Sequence, residues 1–292
     1  MNEVRLPQGT IRYRDLGAGE PIVLVHGLLV NGELWRDVAP TLAEDFRVIV
    51  PDWPLGSQQL PLHPDADLSP LGLAQLVADF LAALELENVT LVGNDTGGAI
   101  SQLVAIHHPE RVARLVLTPC DAYENFLPPA FRPLQWLARL PGSVFVLSQA
   151  LRSPAARRLP LAYGWLMKRP DDALTGSWLA PARESRAIRR EVAAILKGIS
   201  PRYTLAAAER FGEFTRPVLL AWAPEDRFFK LRYAERMARD FPDARLELIE
   251  DSLSFVPLDQ PARTAELIAG FAREPAGRSL DGSYAARDAA PE

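Results

Sequence analysis

Six short runs of β-branched and aliphatic residues, each closed by turn formers, limit what this 292-residue chain can fold into. They are PIVLVHG (21–27), FRVIVPDW (46–53), TLVGN (90–94), RLVLTP (114–119), PVLLAW (217–222) and ARLELIE (244–250). Runs this apolar and this short predict strands covered on both faces, as in a parallel sheet. Helical spacing lies between them. Val77, Phe80, Leu81 and Leu84 fall at i, i+3, i+4 and i+7, and Ile100, Leu103 and Val104 repeat the pattern. The alternation predicts an α/β fold, a mostly parallel twisted sheet flanked by helices. Residues 3–15 add two short strands around a Pro-Gln-Gly turn.

The alternation stops between Asp121 and about Glu213, where prolines separate helical pieces and no strand pattern is convincing. The expected organisation is therefore a core over 1–120 and 214–272, with a helical cap, or lid, inserted over 121–213. The polar, small-residue segment 273–292 reads as disordered. A net charge of −5 and no basic stripe argue against a nucleic-acid or anionic-membrane partner. One cysteine, Cys120, rules out an internal disulfide and reads as a buried thiol. With no leader pattern and no membrane-length apolar run, the expected location is cytoplasmic.

Chemistry is signalled by Gly93-Asn94-Asp95-Thr96-Gly97-Gly98, which joins an apolar run to a helical pattern. A strand that turns sharply into a helix crowds its neighbours, so small residues fit around the strained position. Such a turn lifts one side chain clear of the sheet, here the carboxyl of Asp95, towards helix amides that favour an anion. The plainer alternative is that Asp95 caps the helix.

This elbow, with LVHG (24–27), LLAWAPEDRFF (219–229) and IEDSLSFVPLDQP (249–261), resembles the α/β-hydrolase superfamily, in its haloalkane dehalogenase and epoxide hydrolase branch. The resemblance covers about residues 10–272 and implies an α/β-hydrolase fold with an inserted helical cap. It implies Asp95 as nucleophile, Asp226 as the acid of the triad, and the backbone N–H groups of Leu28 and Thr96 as oxyanion hole. Asp226 also reads as a turn-forming or capping aspartate. A carboxylate at the elbow attacks alkyl carbon and leaves an ester on the enzyme. Where the family carries its histidine, this chain has Ser254, and none of its four histidines lies beyond His108. A serine hydroxyl does not replace a general base contributing ~10²- to 10⁴-fold.

Other candidates are weaker. His107 and His108 stand at the far end of the helix after Asp95, and His26 reads as a loop-shaping residue. His63 is the one free histidine near the expected site, while Asp251 and Asp259 are possible bases by proximity alone. Thr96 and Leu28 occupy positions where related dehalogenases carry a halide-holding tryptophan and an asparagine. Halide would then depend on Trp136, Trp165 or Trp178. Leu29 stands where related epoxide hydrolases carry proline, and Tyr123, Tyr163 or Tyr203 could protonate an epoxide oxygen. Trp35 completes the aromatic candidates for substrate contact. Three readings stay open: epoxide or halide chemistry with an impaired hydrolytic step, proton transfer, elimination or cyclisation through Asp95, and binding without chemistry. The expected partner is an apolar small molecule, the chain a monomer or homodimer, with no cofactor, metal, nucleic acid or membrane.

Overall fold

In a computed structural model, residues 1–274 are described, and all but the first two residues of the tail expected over 273–292 fall outside that range. The strands are β1 (Asn2–Leu6), β2 (Gly9–Leu16), β3 (Pro21–Val25), β4 (Arg47–Pro51), β5 (Val89–Asp95), β6 (Val112–Cys120), β7 (Val218–Trp222) and β8 (Ala244–Leu248). They form one eight-stranded sheet in the order β1-β2-β4-β3-β5-β6-β7-β8. β2 runs antiparallel to β1 and β4, and every other pairing is parallel. This is the doubly flanked, mostly parallel sheet of the α/β-hydrolase fold. All nine residues of β6 and all five of β7 are buried, which is why these segments read as unbroken apolar runs. β8, at the edge, is only half-buried.

Helices α1 (Ala39–Leu42), α2 (Pro70–Ala83) and α3 (Thr96–His107) precede β6. Ser69 caps α2, its hydroxyl accepting from the Gly72 amide at 3.1 Å, and Pro70 occupies the first turn, where its missing N–H costs nothing. α3 is buried from Thr96 to Ile106, more than its one-sided spacing implied, because β5, β6, α2 and a later helix all pack on it. Between β6 and β7 the chain forms only helical pieces: α4 (Arg132–Leu137), α5 (Ser143–Ala150), α6 (Pro154–Arg157), α7 (Asp172–Glu184), α8 (Arg186–Gly198) and α9 (Pro201–Ala208). Helix α10 (Leu231–Asp240) follows β7; α11 (Val256–Asp259) and α12 (Pro261–Ala272) follow β8.

Two glycines let α3 start hard against the sheet. A Cβ at Gly97 would lie 2.3 Å from the His26 carbonyl oxygen and 2.5 Å from that of Val25; one at Gly98 would lie 2.2 Å from Cys120 Cβ. The obstacle at Gly97 is backbone, so it cannot step aside. Gly97→Ala should therefore lower unfolding stability by roughly 2–4 kcal/mol. Gly270→Ala, where a Cβ meets nothing within 4 Å, should be neutral or raise it by up to about 1 kcal/mol. Chemical denaturation of both variants checks this; equal midpoints contradict the packing account.

Candidate active site

Strand β5 delivers Asp95 at its last residue, and the backbone there turns left-handed (φ 55°) before α3 begins. That conformation costs a non-glycine residue of order 1–3 kcal/mol and is held by the strands on either side. Asp95 stands at the helix N-cap position, yet its side chain makes no capping hydrogen bond. The carboxyl lies over Gly27 instead, where a Cβ would sit only 2.1 Å from Asp95 Oδ2. The amides of Thr96 and Leu28 face it and favour its charged form. Burial is the larger effect: with Asp226 nearby it pushes the Asp95 carboxyl up to about 7.

Two further carboxyls are buried around it. In the turn after β7, Asp226 Oδ1 accepts the amides of Phe228 and Phe229, both at 2.7 Å, so a turn-forming role is fulfilled by one oxygen. Its other oxygen, Oδ2, is buried without a partner, as is Ser254 Oγ. Burial raises Asp226 to about 6, against the pull of the Phe229 amide, the nearby Ser254 hydroxyl and the Phe228 amide. Asp121, just past β6, had no functional reading in the sequence. It is fully buried, and the Thr96 hydroxyl lies 3.3 Å from its Oδ2 while Oδ1 has no partner. Burial and the Asp95 charge hold its carboxyl far above the usual range. Asn94 ties the elbow to the last turn, its side-chain amide donating to the Ser254 carbonyl at 2.8 Å.

The histidines stand apart from this cluster. His26 is buried, its Nε2 accepting from the Trp53 amide at 2.9 Å and its Nδ1 donating to the Gly27 carbonyl at 3.0 Å. Burial lowers it to about 4, so it is neutral and bolts the loop. His63 is exposed, beside the Pro7 carbonyl, and not at the cavity. Asp251 pairs with Lys168 at 2.8 Å on the surface. Asp259 accepts the Lys168 and Leu253 amides at 2.8 and 2.9 Å, pinning the turn around Ser254.

Asp95 and Thr96 form the polar floor of a cavity of about 700 Å³, measured with its open mouth. Leu28 and Leu29 from the loop after β3 line one side; Phe131, Leu134, Leu147, Leu161 and Tyr163 come from the helical pieces between β6 and β7. Tyr163 supplies the hydroxyl in the lining and donates to the Leu29 carbonyl at 2.8 Å; burial raises its phenol. The other aromatic candidates do not line the cavity. Trp35 and Trp178 are buried in the core. Tyr123 is turned away, donating to Asp240 at 2.7 Å under the Arg236 guanidinium. Trp136 is 70% exposed, Trp165 lies under Arg227, and Tyr203 packs against Arg202.

The α/β-hydrolase-fold family model matches residues 20–261. The chain belongs to this family. It is 29% identical over 269 residues to haloalkane dehalogenase 2 of Mycobacterium bovis, covering 89% of this chain and 91% of the relative. It is 25% identical over 256 residues to 2-hydroxy-6-oxo-6-phenylhexa-2,4-dienoate hydrolase of Burkholderia cepacia, covering 85% and 86%. Among solved structures it resembles an epoxide hydrolase at a TM-score of 0.76 and 18% identity, over 92% of this chain and 97% of that one.

Two buried carboxyls, Asp121 and Asp226, thus stand by the half-buried Asp95 at the elbow. Raising a carboxyl by burial means that the fold favours its neutral form. Its stability contribution is therefore lost as pH rises from the ordinary value through about 7. Asp95→Asn, a neutral mimic, should unfold at a higher denaturant midpoint than wild type at pH 8, by roughly 2–4 kcal/mol, with the gap narrowing towards pH 4. A gap independent of pH contradicts the burial account.

Proposed function

We propose that this chain is a hydrolase-type enzyme in which Asp95 attacks an electrophilic carbon of an apolar small molecule, with an epoxide the favoured substrate. The observation that carries this reading is the placement of Asp95: strained, uncapped, beside the Leu28 and Thr96 amides, and at the floor of an apolar cavity. A carboxylate oxygen forms a bond to the epoxide carbon, the ring carbon–oxygen bond breaks, and its electron pair passes to the epoxide oxygen. Tyr163, the phenol among the lining residues, would exchange its hydrogen bond to the Leu29 carbonyl for one to this oxygen and supply the proton it needs. The amides of Leu28 and Thr96 would stabilise the oxyanion when water later attacks the ester.

Epoxide is preferred to halide because no tryptophan lines the cavity and the Thr96 hydroxyl is engaged with Asp121. Likeness to a haloalkane dehalogenase at 29% identity supports an alkyl-carbon substrate in general. The second half of the reaction is impaired. Ser254 occupies the place of the water-activating histidine, and the partnerless Asp226 Oδ2 marks what that ring would have held. A second reading, proton transfer through Asp95, is favoured by one observation, the shift of its carboxyl to about 7. That value fits an acid–base group at neutral pH.

Intact-protein mass after exposure to aryl and alkyl epoxides separates the two. Nucleophilic attack predicts a lasting adduct, absent in Asp95→Asn, whose rate of formation rises with pH through about 7 as the carboxyl ionises. Ser254→His should shorten its lifetime. Turnover without adduct, rising with pH through the same value as a general base ionises, supports proton transfer, and neither adduct nor turnover contradicts both.

A further inference from the structure

Charge and apolar surface are segregated in a way that the overall charge of −5 hides. Residues 125–170 contain seven Lys and Arg and no Asp or Glu, so every one of the 37 acidic residues lies elsewhere. The same stretch carries most of the exposed large apolar side chains among the described residues. They include Trp136 (70% exposed), Leu140 (60%), Val146 (66%), Leu159 (58%) and Leu161 (57%), with Phe145 beside them. These side chains sit on α4, on α5, on the turn between them and on the segment after α6. Those segments converge on the cavity, since Leu134, Leu147 and Leu161 line it. The outward apolar residues therefore share their segments with side chains that line the cavity.

Not all seven cations are available to a partner. Arg157 is buried and holds the carbonyls of Leu151, Arg152 and Asp172; Arg158 pairs with Asp172; Lys168 and Arg169 pair with Asp251. Arg132, Arg139 and Arg152 are exposed and have no acidic partner among the described residues. They stand on the same segments as the exposed apolar side chains.

We propose that this face, formed by the helical pieces between β6 and β7, docks on an anionic lipid surface. Trp136 and its aliphatic neighbours match the interfacial zone, where an indole and apolar side chains enter the acyl boundary. Arg132, Arg139 and Arg152 face the lipid phosphates, and anionic headgroups complement a surface from which acids are excluded. A second copy of the chain is the poorer occupant, because a two-fold contact would set the three arginines against their own counterparts. The expectation of no membrane partner rested on whole-chain charge, which averages this segment away. Docking does not depend on the chemistry of Asp95, so it stands or falls separately.

Co-sedimentation of the full chain with phosphatidylcholine vesicles, with and without about 30% phosphatidylglycerol, tests it. Binding to the anionic vesicles alone is expected, with a blue shift of tryptophan emission and release at about 0.5 M salt. Trp136→Ser/Val146→Ser and, separately, Arg132→Gln/Arg139→Gln/Arg152→Gln should each weaken it about tenfold or more. All five positions are exposed, and circular dichroism verifies that both variants fold. No binding, or binding untouched by either variant, overturns the proposal. So does a concentration-dependent dimer in sedimentation velocity that the Trp136/Val146 variant abolishes while vesicles are ignored.

Discussion

The site depends on the burial of a carboxyl that no cation meets among the described residues. Asp95 is forced against Gly27 by the elbow, under an apolar cavity, and among the described residues its compensation is the polarity of two backbone amides. In the resembled triads an imidazolium would share that charge. Here the neighbours are two more carboxyls, from the turns after β6 and β7, and burial raises all three. The chemistry proposed for Asp95 follows from this balance: it calls for a nucleophile that is ionised only as pH approaches about 7.

The sheet makes that arrangement tolerable. β5 is hydrogen-bonded to β3 and β6 on either side, and all its residues but Asp95 are buried. The pairing of Asp95 with Cys120, across a register shift after Gly93, brings Asp121 up beside the elbow. Asn94 then ties the elbow to the Ser254 turn, and Asp259 pins that turn through two amides. Three loops that are distant in sequence are thus locked to one another by buried polar contacts, and the strained residue at their centre cannot relax without breaking them.

Much of this could be read from the residues. Six apolar runs became six strands, fully buried on both faces at β6 and β7 and only half-buried at the edge strand β8, and the small residues around Asp95 announced a turn with no room for a Cβ. Asp121 was missed because its role depends on the register of β6 against β5, a non-local property that leaves no trace in the CDA triplet. The aromatic candidates failed for a related reason. Trp35, Tyr123, Trp136 and Trp165 carry no signal of which way their rings point, and among the described tyrosines only Tyr163 lines the cavity. The lining is mostly leucine, which in sequence is indistinguishable from ordinary core.

The most direct measurement of the account is the titration of the Asp95 side-chain carboxyl by ¹³C NMR, its signal assigned by its absence in Asp95→Asn. Burial without a counter-charge predicts a midpoint near 7. A midpoint at the ordinary carboxylate value, near 4, would mean that water or a cation reaches the group, and would contradict the view of the site as an uncompensated acid beneath an apolar cavity.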